Sequence, residues 1–360
     1  MKKKLNFAAI LLSNIIIINL FPKMNNKFTR RSFIGSSAAA IATVSFASMA
    51  TSCQQAASSP SFPGMNDFGS KFGGVQIGAI TYSWRNMPAG LENIVKYCKE
   101  TGVNSIELMS GDLETYLGAP APPPRVPRER GVELTPEQQE EQRIAQQQYS
   151  TAMKDFRLSV HPQKVAAAKK LFDDAGIEVH IVKFSPARWS DEEIDYAFVT
   201  AKAMGAKAVC DEIGEQAAQR MAPFAEKHGM YAILHNHAQY GQPDFSADPF
   251  LAVSPTVMLN FDCGHYFGST GLNPCDFIKK YHERIFSIHI KDKTGMNTDP
   301  KDENQVWGQG ETPLAEVLLL IKNEGWPIYL DIELEYDIKP WSNQVKETKT
   351  CVQYARNILI

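Results

Sequence analysis

Ile285-Phe-Ser-Ile-His289-Ile-Lys291-Asp292 ends in strict alternation, and its last inward positions carry an imidazole and an amine. Two other segments finish an apolar run in the same way: Met258-Leu-Asn-Phe-Asp262-Cys-Gly-His265 and Ile328-Tyr-Leu-Asp-Ile-Glu333-Leu-Glu335. Read as consecutive parallel strands, the three deliver Asp262, His289 and Glu333 side by side at one rim of a sheet. Two carboxylates and an imidazole suit a borderline divalent ion. In parallel α/β barrels that rim, at the strands' C-terminal ends, is where active sites lie.

Outward from these segments, apolar runs alternate with helical patterns through the rest of the chain. Strands are predicted at 75–81, 105–109, 177–184, 206–212, 230–237, 257–262, 285–291 and 328–333, each followed by a helix. Glycine repeatedly separates a helix from the next strand, as in Thr101-Gly102-Val103 and Ala175-Gly176-Ile177. Eight such units predict an α/β fold of the (β/α)₈ TIM-barrel type over residues 75–360. An insertion at 118–157, opening on Gly118-Ala-Pro-Ala-Pro-Pro-Pro, follows strand two and reads as a lid or an oligomer arm. No Gly-x-Gly-x-x-Gly or phosphate-loop pattern occurs, so no nucleotide cofactor is indicated.

The amino-terminal stretch reads as an address. Thr29-Arg30-Arg31-Ser32-Phe33-Ile34 is a twin-arginine export pattern, so residues 1–52 are an expected export signal. Either translation starts at Met24, or the apolar run Leu5–Phe21 inserts in a membrane. Ala50-Thr-Ser-Cys53 is a passable lipoprotein cleavage site, and a lipid on Cys53 would tether the chain to a membrane. Export places the protein in the periplasm, free or anchored. Residues 53–74 are rich in Ser, Pro and Gly and read as a linker. Residues 1–52 hold seven basic and no acidic side chains, and without them the formal charge falls from −3 to −10. That acidic body argues against a nucleic-acid partner. Of the six cysteines, none forms a CxxC pair, and a disulfide framework is not expected.

His235 and His237, two apart on strand five, are expected to project inward together beside Asp262. His237 is the preferred fourth ligand of an ion held by Asp262, His289 and Glu333, which leaves His235 and Glu333 as proton carriers. Asp331, Glu333 and Glu335 share one face, and three acids there call for a cation. His265 is expected to line the pocket, and Lys183 and Lys291 to hold substrate oxygens. Glu107, Glu212 and Trp84, at other strand ends, are further substrate contacts. His180 is a weaker candidate.

Together these strand ends resemble the sugar isomerase/epimerase superfamily of xylose-isomerase-like barrels, which also includes endonuclease IV. The likeness covers residues 75–358. Asp262 and His265 match its Asp-x-x-His element, His289 its strand-seven histidine, Glu333 its strand-eight glutamate, and Glu107 an Ile-Glu-Leu common on strand two. The resemblance implies one divalent ion (Mn, Co, Zn or Mg) and a small-molecule carbohydrate substrate. It implies an isomerase or epimerase acting on a sugar or keto-sugar through a metal-stabilised enediolate. One departure bears on the reaction: ketose 3-epimerases use glutamates on strands five and eight, and strand five here offers two histidines. Members with a similar His-x-His look like dehydratases, lyases or isomerases, some acting on 3-keto-glycosides. The remaining alternatives are an endonuclease-like phosphodiesterase and a carbohydrate-binding barrel without catalysis.

Overall fold

The computed structural model describes residues 68–124 and 134–360. The export pattern, Met24 and Cys53 lie outside the described residues, as does part of the insertion. Eight parallel strands close into a barrel: β1 (Val75–Ile80), β2 (Ser105–Met109), β3 (Glu178–Lys183), β4 (Ala208–Glu212), β5 (Tyr231–His235), β6 (Val257–Asp262), β7 (Ile285–Ile290) and β8 (Tyr329–Ile332). Each pairs with the next, and β8 returns to β1 through Leu330–Ile77, Asp331–Gly78 and Ile332–Ala79. The (β/α)₈ barrel expected from the sequence is the observed fold.

Around the strands run α1 (Leu91–Thr101), α2 (Ser110–Leu117), α3 (Pro136–Ser159), α4 (Pro162–Ala175), α5 (Asp191–Ala203) and α6 (Glu215–His228). They continue as α7 (Asp248–Leu251), α8 (Cys263–Thr270), α9 (Pro274–Tyr281), α10 (Leu314–Glu324) and α11 (Gln344–Leu359). In α1 the buried positions are Leu91, Ile94, Tyr97, Cys98 and Thr101, the period that turns one face of a helix to the sheet. Each fully buried large apolar side chain stabilises the fold by about 1.5–3 kcal/mol.

Three features differ from the pattern read in the sequence. The linker does not run to residue 74: Lys71–Phe72 is a short strand antiparallel to Val75–Gln76. Gly73 and Gly74 both have positive φ and make the tight turn between them. Glycine-rich tether and glycine turn look alike in composition. Helix α8 starts directly after β6, because the Asp262 carboxylate accepts the His265 N–H at 2.7 Å and caps it. Gly264 is needed there for closeness, not for a turn: a Cβ would collide with the Lys291 carbonyl oxygen. Finally, β3 carries a bulge. Ile106 pairs with Val179 and Glu107 with Ile181, which leaves His180 as the extra residue. His180 and Lys183 stand an odd number of positions apart, and the bulge brings both inside the barrel.

Below the rim the interior is layered. Ile181, Ala208, Cys210, Ile233 and Phe286 form an apolar plug. Beside it Ser105 Oγ lies 2.9 Å from His180 Nδ1, and His180 Nε2 lies 2.9 Å from Asp331. The His180 ring stacks on Tyr329 at 4.2 Å. His180 is thus a hydrogen-bonded core residue below the site. The five described cysteines, Cys98, Cys210, Cys263, Cys275 and Cys351, are buried and free.

The insertion's helix, α3, is pinned at its end by one arginine. Arg157 Nε is 2.8 Å from Glu114 of α2, Nη1 is 2.9 Å from Glu193 of α5, and the guanidinium lies 3.4 Å over Trp189. Removing this cation leaves two buried carboxylates facing each other. Arg157→Met is expected to cost about 3–5 kcal/mol in urea unfolding, and a loss within experimental error would show the pin to be dispensable.

Candidate metal centre

The rim gathers four buried side chains from four adjacent strand ends. His235 (β5), Asp262 (β6), His289 (β7) and Glu333 (after β8) each offer a ligand atom within 4.8 Å of the others. Strand five therefore contributes His235, not His237, to this group. The reason is local: β5 ends at His235, where Asn236 takes over the ladder. The Asn236 amide oxygen accepts the Asp262 N–H at 2.9 Å and its nitrogen donates to the Asp262 carbonyl at 3.2 Å. His237 has left extended geometry and turns to Glu212, with Nε2 3.0 Å from its carboxylate. The two rings still meet edge to edge, 4.9 Å apart, and Glu212, His235 and His237 form a second group of possible ligands, so the strand brings both histidines to the rim but gives them different partners.

The donor set fits a divalent ion on its own chemistry. His235 Nδ1 is buried with no hydrogen-bond partner. Burial, helped by Lys183 and His289, pushes the His235 pKa well down, so the ring is neutral and keeps a lone pair. Asp262 divides its labour: one oxygen caps α8, and Oδ2 makes no hydrogen bond with good geometry. His289 Nε2 lies 2.8 Å from Glu107 Oε2, while Nδ1 faces Glu333 at 3.1 Å and Asp262 at 4.0 Å. A histidine fixed from behind by a carboxylate, with its other nitrogen turned to acidic ligands, is the usual preparation for metal binding. Burial opposes charge on His289, but Glu107 and Glu333 outweigh it and hold its pKa well above the ordinary value.

Glu107 thus stands behind His289. It is fully buried and also accepts from the Asn260 amide at 2.8 Å. The charge that three acids on one face demanded comes largely from protein. Asp331 sits lower with His180, while Lys291 lies 2.8 Å from Glu333 and 2.7 Å from Glu335. Burial would raise the Glu333 pKa, yet Lys291 and His289 prevail and hold it well below the usual range. His265 lies at the pocket wall, its Nε2 2.9 Å from Lys291. Lys183 and Glu212 are brought together at 2.8 Å, on the side of the rim where His237 stands. Glu212, only partly buried, is held at about 2 by His237 and Lys183.

Trp84 is not brought to the site. Its indole N–H donates to Thr348 of α11 at 3.1 Å, in the packing outside the strands. Asn236, Asn260 and Lys293 were missed by sequence reasoning. Asn260 was within reach of it, being two residues before Asp262 and so on the same face. Lys293 Nζ is 3.3 Å from His265 Nδ1 and 2.7 Å from Asp302, a contact between distant loop positions that local pattern does not encode.

The family described as xylose isomerase-like TIM barrel matches residues 95–354, and the chain belongs to it. Among curated proteins it is similar to inosose dehydratases. One, from Bacillus thuringiensis (strain Al Hakam), is 27% identical over 133 residues, 32% of this chain and 44% of the relative. Another, from Clostridium botulinum (strain Alaska E43 / Type E3), is 31% identical over 137 residues, 33% of this chain and 45% of the relative. The chain spans less than half the length of these relatives. Among solved structures, a sugar phosphate isomerase/epimerase from Parabacteroides distasonis superposes with a TM-score of 0.53 at 16% identity, covering 83% of this chain and all of that one. A probable 3-DHS dehydratase from Bacillus anthracis gives 0.50 at 14% identity, covering 76% and 98%. At such identities the likeness is one of fold.

Glu107→Gln keeps the shape of the side chain but removes the charge behind His289. Titration calorimetry with Mn²⁺ or Zn²⁺ should show affinity reduced about 10- to 100-fold; unchanged affinity would deny Glu107 this part.

Proposed function

We propose that the protein is a divalent-metal-dependent enzyme that moves a proton between neighbouring carbons of a sugar or keto-sugar, as an isomerase does. The observation that carries this reading is that two histidines whose rings lie 4.9 Å apart differ in exposure and in the partners they keep. His235 joins Asp262, His289 and Glu333, whereas His237 stands half exposed against Glu212. A divalent ion held by the first four would, when bound, supply Lewis-acid polarisation of a carbonyl and its adjacent hydroxyl. His237 is the proton carrier that substrate can reach. It takes the proton next to the carbonyl, and Glu212 stabilises the imidazolium that results. Lys183, buried and 2.8 Å from Glu212, brings positive charge to a substrate oxygen in the same part of the mouth. Glu333 is clamped between Lys291 and His289, which suits a ligand better than a base.

One accessible acid–base group returns a proton on the face from which it was taken. Epimerisation from both faces asks for an opposed pair, and strand five supplies no glutamate for it. A dehydratase is the second reading, favoured by the same dyad: the imidazolium that has taken the proton can give it to a hydroxyl leaving the next carbon, so that water departs. The inosose dehydratases among the relatives support this reading.

Chelation and two substitutions test the proposal. Chelation should abolish turnover of a keto-sugar and one equivalent of Mn²⁺ or Zn²⁺ restore it. Glu333→Gln should be inactive with an unchanged circular-dichroism spectrum, and retained turnover would sink the ion's role. His237→Gln should lower kcat by about 10²–10⁴-fold at unchanged ion content. Product mass in D₂O separates the readings: isomerisation conserves the sugar's formula apart from deuterium, and elimination loses one water.

A further inference from the structure

Lys291 is among the largest fully buried side chains of the protein, and it is charged. Its Nζ is 3.1 Å from Asp262 Oδ2, 2.8 Å from Glu333 Oε2, 2.7 Å from Glu335 Oε2 and 2.9 Å from His265 Nε2. An ammonium has three N–H groups and here faces four acceptors. The four acceptors fall into two kinds. Asp262 and Glu333 belong to the group proposed to hold a divalent ion. Glu335 and His265 lie outside that group and 3.5 Å from each other. Both hydrogen bonds of good geometry go to this outer pair.

Two carboxylates buried together without a cation repel strongly, and a divalent ion close to an ammonium is repelled as well. With His289, Lys291 neutralises this pair of acids when no ion is there, and it must release them when one arrives. We propose that Lys291 is a built-in counter-ion that holds Asp262 and Glu333 in place whenever the centre carries no divalent ion, and withdraws onto Glu335 and His265 when one binds. Lysine suits this task because its flexible four-carbon stem ends in a point charge with rotatable donors. His265 is itself held from its other ring nitrogen by Lys293, which Asp302 neutralises. The resting place is thus fixed before the ammonium moves to it. The inference rests on the ion-binding reading of the four-residue group. Its consequence is a trade: Lys291 stabilises the ion-free protein and weakens ion binding, because the ion competes with it for the acids.

The test is Lys291→Met, which keeps the length of the side chain and removes its charge. Mn²⁺ or Zn²⁺ should bind the variant at least about tenfold more tightly by calorimetry. Its melting temperature should fall in EDTA and stay near that of the wild type at saturating ion. Equal losses under both conditions, or affinity that is unchanged or weaker, would overturn the proposal. Should the variant not fold without an ion, Glu335→Gln is the second probe. It spoils the resting place and should weaken ion binding, and an unchanged affinity counts against the proposal. If the wild-type protein binds no divalent ion, the reading of the four-residue group fails and this inference falls with it, whereas a wild type that binds the ion beside a Lys291→Met variant of unchanged affinity overturns this inference alone.

Discussion

Charge brought together in a place that water does not reach governs this structure. Glu107, Asp262 and Glu333 are all buried within the barrel mouth, and so are His289 and Lys291. Buried ions of one sign cost several kcal/mol each unless partners of the opposite sign stand close with good geometry. Here the partners alternate: Glu107, then His289, then Glu333, then Lys291, each within 3.1 Å of the next. The barrel makes this order possible because each strand end presents one side chain, and adjacent strands are held in register by their hydrogen bonds. Asn236, bonded to the backbone of Asp262 at the end of β6, extends that registration past the end of β5. The mouth is therefore a set of interlocked pairs in which no charged side chain is independent of its neighbours.

How far this could be read from the sequence depended on the range of the signal. The eight strands were legible because apolar runs, turn residues and helix-ending glycines are local. Asp262, His289 and Glu333 were legible together because each ends such a run, and parallel neighbours place their ends at one rim. The choice between His235 and His237 was not legible. It turns on where β5 stops, and that is set by Asn236 reaching across to the backbone of Asp262. Trp84 looked like a pocket residue by position, but its partner Thr348 lies 264 residues away. Glu107 gave a similar difficulty: its place behind His289 spans 182 residues of sequence. The bulge at His180 shifts one strand against the next and leaves no mark in hydrophobic alternation.

The family and the site bear on function at different depths. Membership of the xylose isomerase-like barrels accounts for the frame and for acids and histidines at the strand ends. The feature of this chain that bears most on the site is the pair of histidines around Asn236 and the different partners they keep. One is buried and neutral, with an uncommitted nitrogen. The other is accessible and backed by a carboxylate. Two chemically equivalent residues acquire different properties because the backbone between them changes direction.

The layer of Ser105, His180 and Asp331 has a bearing on traffic through the protein. These side chains are closed to solvent and bonded in sequence from β2 to β3 to β8, directly beneath the acids of the mouth. With the apolar plug beside them, they make the barrel a vessel with one open end. The four-residue group therefore has a closed floor beneath it. Exchange of any small molecule at the four-residue group is thereby confined to the rim at the strands' C-terminal ends.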